Sequence, residues 1–136
     1  MPDTPADLLR RYYRDVWVGG NVDALDELLA DDYHDHDPPP GYGSDRESAR
    51  RLAAAFTAGM RDAEVTILAL VADDRTAVAH YRLEWNHEGP FLGNAAADGQ
   101  RFSLRGSDLI EVEGGRISAI YHVENLLALV RQLTPP

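Results

Sequence analysis

The sequence predicts a single α+β domain in which helices come first and an antiparallel sheet follows. Up to about residue 60 the apolar residues recur at helical spacing, and from about residue 63 they alternate with polar ones, which is the period of strands. The second half also carries tight-turn signals, Asp73-Asp74-Arg75 and Gly114-Gly115, suited to joining consecutive strands. A chain of 136 residues has room for one core, and a hydrophobic content of 44% is enough to fill it.

Thr4 caps a first helix that runs to about Val18, with Leu8, Leu9, Tyr12, Tyr13, Val16 and Trp17 as its inward stripe. Gly19-Gly20 ends it. Asn21 caps a short second helix through Ala30, lined by Leu25, Leu28 and Leu29. Residues 31–43 read as a loop with a short extended piece around Tyr33, because three prolines at 38–40 forbid a helix interior. Ser44 and Glu47 form a capping box for a third helix through about Met60, with Leu52, Ala55, Phe56 and Met60 facing inward.

Four strands follow, at 63–72, 76–86, 100–112 and 116–124, then a short helix or turn from Asn125 to Leu133 ended by Pro135-Pro136. In the first strand Val65, Ile67, Ala69 and Val71 share a face. Residues 87–99, rich in glycine, form a long connection. Long strands in a small sheet curl strongly. A curled sheet covered by three helices encloses a hollow of the kind that holds small ligands.

Composition narrows the chemistry. With no cysteine there is no disulfide, thiolate metal site or thiol nucleophile. All 13 basic residues are arginine, so Schiff-base catalysis through lysine is excluded. A net charge of −10 argues against nucleic acid and anionic membrane as partners. The stretch Met1 to Asp7 is unlike a signal peptide, and no apolar run approaches the roughly 20 residues that span a bilayer, so the expected location is cytoplasmic. Nucleotide-binding glycine motifs, a nucleophile elbow and a zinc-protease motif are all missing.

Alternation in the third strand puts Phe102, Leu104, Gly106, Asp108, Ile110 and Val112 on one face, with Asp108 its only charge. Such an aspartate is either a structural group bonded to backbone or arginine, or a general acid/base with a raised pKa. In the fourth strand Ile117, Ala119, Tyr121 and Val123 oppose a mixed face of Ser118, Ile120, His122 and Glu124 that suits a wet pocket. Asp108 lies six residues before Gly114 and His122 seven after Gly115, so hairpin pairing brings them to similar height. In the second strand His80, Arg82, Glu84 and Asn86 read as exposed or subunit-facing, while Trp85 and His87 lean toward the pocket. The segment Tyr33-His34-Asp35-His36-Asp37 contains metal-ligand residue types, but consecutive residues point apart, and no metal is expected; His34 and His36 suit a pocket entrance.

Several stretches resemble the SnoaL-like polyketide cyclase family of the nuclear-transport-factor-2-like superfamily. Asn86-His87-Glu88-Gly89-Pro90-Phe91-Leu92-Gly93 is similar to a family GTHxGxFxG stretch, and Gly114-Gly115-Arg116-Ile117 to its DGKI. Tyr121 stands where the family usually has tryptophan, the 126–133 segment resembles LLxQL, and His36-Asp37-Pro38-Pro39-Pro40-Gly41 resembles an H-P-G region. The resemblance spans about residues 5–133. It implies a cone-shaped α+β barrel with a deep pocket, a homodimer through the outer face of the sheet, and cofactor-free aldol ring closure of a lipophilic polyketide. It also implies an aspartate–histidine pair. The family's strand-three histidine matches Asp108 and its strand-four acid matches His122, so the pair is present with its members exchanged.

The expected catalytic residues are therefore Asp108 and His122. Tyr13, His34 and His36 are expected as hydrogen-bond donors at the rim, and Phe56, Trp85, His87 and Tyr121 as further substrate contacts. An epoxide-opening enzyme and a non-catalytic small-molecule-binding module are the alternatives on the same fold.

Overall fold

A computed structural model describes residues 3–91 and 99–133. Helix α1 (Pro5–Arg11) begins with the expected cap: Thr4 Oγ1 accepts from the Asp7 N–H, and the Asp7 carboxylate accepts from the Thr4 N–H. The chain stays helical beyond Arg11, but as a π-helical segment, Tyr12–Val18. The doublets Leu8-Leu9, Tyr12-Tyr13 and Val16-Trp17 recur every four residues. In an α-helix that repeat drifts roughly 40° per doublet. The wider i→i+5 turns offset the drift, and Leu8, Leu9, Tyr13 and Val16 are all buried.

A 3₁₀ turn (Val22–Ala24) leads into the single-turn helix α2 (Leu25–Leu28). Here the expected helix stops short, because Leu29–Asp35 forms a strand, β1. Helix α3 (Arg46–Thr57) is capped by Asp45, one residue beyond the expected Ser44, through its carboxylate and the Ser48 N–H at 2.9 Å. Strands β2 (Met60–Ala72), β3 (Thr76–His87), β4 (Gln100–Glu113) and β5 (Arg116–Glu124) follow, and helix α4 (Leu126–Leu133) closes the described chain. Most of the long connection expected at 87–99 lies outside the described residues.

The sheet has five strands in the order β1-β5-β4-β3-β2, where the sequence predicted four. The additional strand, β1, pairs parallel to β5, while the other neighbours are antiparallel. The sheet is curved but unclosed, with β1 and β2 as its edges. Its concave face packs on α1 and the π segment over a core that includes Leu8, Leu9, Val16, Trp85, Phe102 and Ile110.

Two irregularities correct the expected faces. In β2 the pairing with β3 shifts between Ile67 and Ala69. An extra residue in a strand reverses every later side chain. Leu70 therefore takes the inward position, and Val71, expected beside Ile67, is 73% exposed. In β5 the register shifts opposite Glu111 and Val112, so Ile117 and Ile120 are both buried and Tyr121 and Val123 turn outward. The long pairing of β3 with β4 has no such shift, and the inward set Ala77, Ala79, Tyr81, Leu83, Trp85, His87 faces Phe102, Leu104, Gly106, Asp108 and Ile110 as alternation requires.

Candidate active site

Asp108 and His122 are direct partners across the β4–β5 ladder, and both point to the helix side of the sheet. Asp108 is only 5% exposed. Its Oδ2 accepts a hydrogen bond from the Tyr13 hydroxyl at 2.8 Å, which ties β4 to the π segment. Burial pushes the Asp108 carboxyl up to about 7; the Tyr13 bond and the charge of His122 pull the other way, while Glu124 and Asp35 add to the rise.

The two residues do not bond to each other. Both ring N–H groups of His122 are held by other carboxylates, Nδ1 by Glu124 Oε1 at 2.5 Å and Nε2 by the two Asp35 oxygens at 3.0 and 3.1 Å. Burial alone would lower the imidazole pKa. The hydrogen bonds from Asp35 and Glu124 outweigh it and raise the group to about 10. His122 is thus an imidazolium at neutral pH, clamped between two anions.

Tyrosines surround this cluster. Tyr12, Tyr13, Tyr33 and Tyr81 all have phenol pKa values pushed upward, in each case first by burial. Asp108 adds the next largest effect for Tyr12, Tyr13 and Tyr81. They are neutral hydroxyl donors beside a titrating carboxyl. Gly106, opposite Tyr81 in the ladder, is required here, since a Cβ would sit 2.6 Å from the Tyr81 hydroxyl.

Asp35 and Glu124 are the residues that sequence reasoning missed. Glu124 shared the strand face assigned to His122, so the signal was present. Asp35 was hidden in a segment read as loop. In the second half of β1, Tyr33 and Asp35 are buried while Asp32 and His34 are exposed. This corrects the expectation for His34 and His36. Both lie on the outer face, where His36 stacks on Tyr121 with ring centres 4.0 Å apart. Tyr121 joins them there because of the β5 register shift, away from Asp108. Alternation in two neighbouring strands thus gathers the three rings, but on the wrong side for a pocket inside the sheet.

Phe56, Trp85 and His87 belong to a second cluster with Phe91 and Phe102, packed edge to face and tilted at 4.5–6.4 Å. The Trp85 indole N–H donates to His87 Nδ1 at 3.1 Å, which leaves Nε2–H to donate to the Pro90 carbonyl at 3.3 Å. His87 is buried and pins the residue 88–91 turn beside Gly59.

One ligand-type atom each of Asp108, His122 and Glu124 lies within 4.8 Å of the others. Such an imidazole–carboxylate set suits a divalent cation chemically, but binding one through His122 means displacing a carboxylate already bonded to it. The arrangement as it stands moves protons: a buried carboxyl poised near neutrality, a fixed cation beside it and neutral hydroxyls around it. No described helix is long and apolar enough to cross a membrane.

The comparisons agree with this architecture. TsrD from Streptomyces laurentii superposes with a TM-score of 0.80 at 27% identity, over 94% of this chain and 92% of that one. IdmH from Streptomyces antibioticus, a candidate polyketide cyclase, gives 0.80 at 23%, over 96% and 99%. AclR from Streptomyces galilaeus, a candidate hydroxylase, gives 0.81 at 16%, over 96% and 97%, a likeness of fold alone. No curated protein matches by sequence. The family model for SnoaL-like polyketide cyclase matches residues 7–133, nearly the whole chain, and the protein belongs to that family.

Proposed function

We propose that the protein is a cofactor-independent acid/base catalyst that closes or rearranges a ring in a lipophilic, polyketide-like substrate, with Asp108 as the proton-transferring group. The observation that carries this reading is the buried Asp108 carboxyl, ionising near neutrality while bonded to Tyr13 and facing the His122 imidazolium.

Asp108 as carboxylate removes a proton from carbon next to a carbonyl, and the charge moves to the enolate oxygen. A tyrosine hydroxyl and the nearby imidazolium stabilise that oxygen. The enolate carbon then attacks a second carbonyl of the same molecule, forming the new C–C bond. The resulting alkoxide takes the proton back from Asp108, so the carboxylate is regenerated and nothing is consumed. His122, with both N–H groups engaged, acts as a positioned charge rather than as a proton carrier.

The test is hydrogen–deuterium exchange at the activated carbon, together with ring closure, of an aromatic β-dicarbonyl substrate followed by NMR in heavy water. General acid/base groups contribute about 10²–10⁴-fold, so Asp108→Asn should slow both processes at least about 100-fold. Equal rates in wild type and variant would sink the reading. Within the same proposal the protein works as a homodimer joined through the outer sheet face, where Val78, Tyr121 and Val123 are exposed.

A further inference from the structure

Tyr13 has a second neighbourhood. On the side away from β4, a cleft of about 400 Å³ opens between the first helix and β2, within the roughly 300–1,000 Å³ range of small-molecule sites. Its walls are mainly apolar, formed by Val18 at the end of the π segment and by Val65 and Ile67, inward-pointing residues of β2. Its helix side carries two cations, Arg10 and Arg14, one turn apart and so on the same face.

These arginines are available. Among the described residues Arg10 makes no side-chain hydrogen bond or ion pair within 4.0 Å, and its electrostatic link is to Asp7, three residues back. Arg14 is bonded only to the adjacent Asp15, through Nε at 2.8 Å and Nη2 at 3.4 Å, and its side chain is 68% exposed. The one acid in the lining, Glu64, is paired with Arg101 at 3.7 Å. In a chain carrying 23 acids against 13 bases, an apolar cleft edged by two arginines is a local reversal of sign.

We propose that this cleft binds a lipophilic molecule carrying a carboxylate, its apolar body against Val18, Val65 and Ile67 and its carboxylate on Arg10 and Arg14. As a statement about the substrate this rests on the function proposed above, because Tyr13 is the residue shared by the cleft and the Asp108 cluster. It narrows the substrate class to a free acid over its ester. The two cations set the orientation, so the end of the ligand remote from the carboxylate is directed along Tyr13.

Titration with 9-anthracenecarboxylate and with its methyl ester, followed by anthracene fluorescence, tests the inference without turnover. Wild type should bind the acid about tenfold more tightly than the ester, as a charge-assisted contact allows, and the preference should shrink with added salt. The R10Q/R14Q double variant should bind the two probes equally while keeping wild-type affinity for the ester. Asp108→Asn should retain the acid preference. Equal binding of acid and ester by wild type, binding of neither, or an acid preference that survives R10Q/R14Q overturns the proposal. The reading of Asp108 as catalyst fails separately, through unchanged exchange and ring closure in Asp108→Asn.

Discussion

Asp108→Asn should make the protein more stable as it makes it less active, and the gain should depend on pH. The carboxyl is raised from 3.8 to about 7 in the folded state, chiefly by burial. A raised acid binds its proton more tightly folded than unfolded, so ionisation opposes folding. Below the unfolded value both states are protonated and there is no cost; the cost grows as pH rises toward the folded value and is constant above it. The full shift corresponds to about 4 kcal/mol, of which about 3 kcal/mol develops between about pH 5 and about pH 8.5. Asparagine keeps the shape and an oxygen to accept from Tyr13, but never ionises. Urea denaturation at the two pH values measures the difference between variant and wild type. It should move in favour of the variant by about 3 kcal/mol from the lower pH to the higher. A difference that does not change with pH means that Asp108 is ionised at little cost, and the argument for a poised base collapses.

Turnover should follow a bell, rising as Asp108 ionises near about 7 and falling as His122 loses its proton near about 10. Glu124→Gln should move both limbs to lower pH, because Glu124 raises both groups; a pH–rate profile with either limb unmoved counts against the cluster. His122 also contributes stability that is complete below its unfolded value of 6.5 and is lost as pH rises through about 10, which an alkaline unfolding titration of wild type against His122→Ala would detect. Gly59→Ala should cost about 1–3 kcal/mol in urea denaturation, since the new Cβ would press on the Glu88 carbonyl and lie 2.5 Å from His87 Nε2. Light scattering at micromolar concentration should give twice the 15.0 kDa chain mass, and a monomer refutes the dimer.

Asp108 and its partner were legible because β4 pairs with β3 over twelve consecutive residues without a shift, so simple alternation held. His122 was legible because its count from the hairpin, seven residues after Gly115 against six before Gly114 for Asp108, matches the one residue that β5 inserts. What failed was local in one case and distant in the other. The shifts in β2 and β5 each insert one residue, and no residue type there announces it, so Val71 and Tyr121 were assigned to the wrong face. Strand β1 was unreadable for a different reason. Its residues, Leu29-Ala30-Asp31-Asp32-Tyr33-His34-Asp35, are mostly polar, and the chain extends there because β5 offers an edge to it. Asp35 could not be placed in the site before that pairing was known. The π segment belongs between these cases: the four-residue repeat of apolar doublets is visible in the sequence, but only the packed structure shows that wider turns absorb its drift.

The parallel pairing of β1 with β5 also orders events in time. Asp35 reaches His122 across 87 residues of chain, and the same junction is closed by the His36 N–H on the Ile120 carbonyl and the His122 N–H on Asp37. Contacts so far apart in sequence form late, after loop closure has been paid for by nearer ones. During synthesis, Tyr13 and Asp108 leave the ribosome before the histidine that charges their surroundings, and Tyr13 and Asp35 wait through 95 and 87 residues for their partners. The proposed site is therefore complete only once β5 has paired with both β4 and β1, since Asp35, Asp108 and His122 come together only through those two pairings.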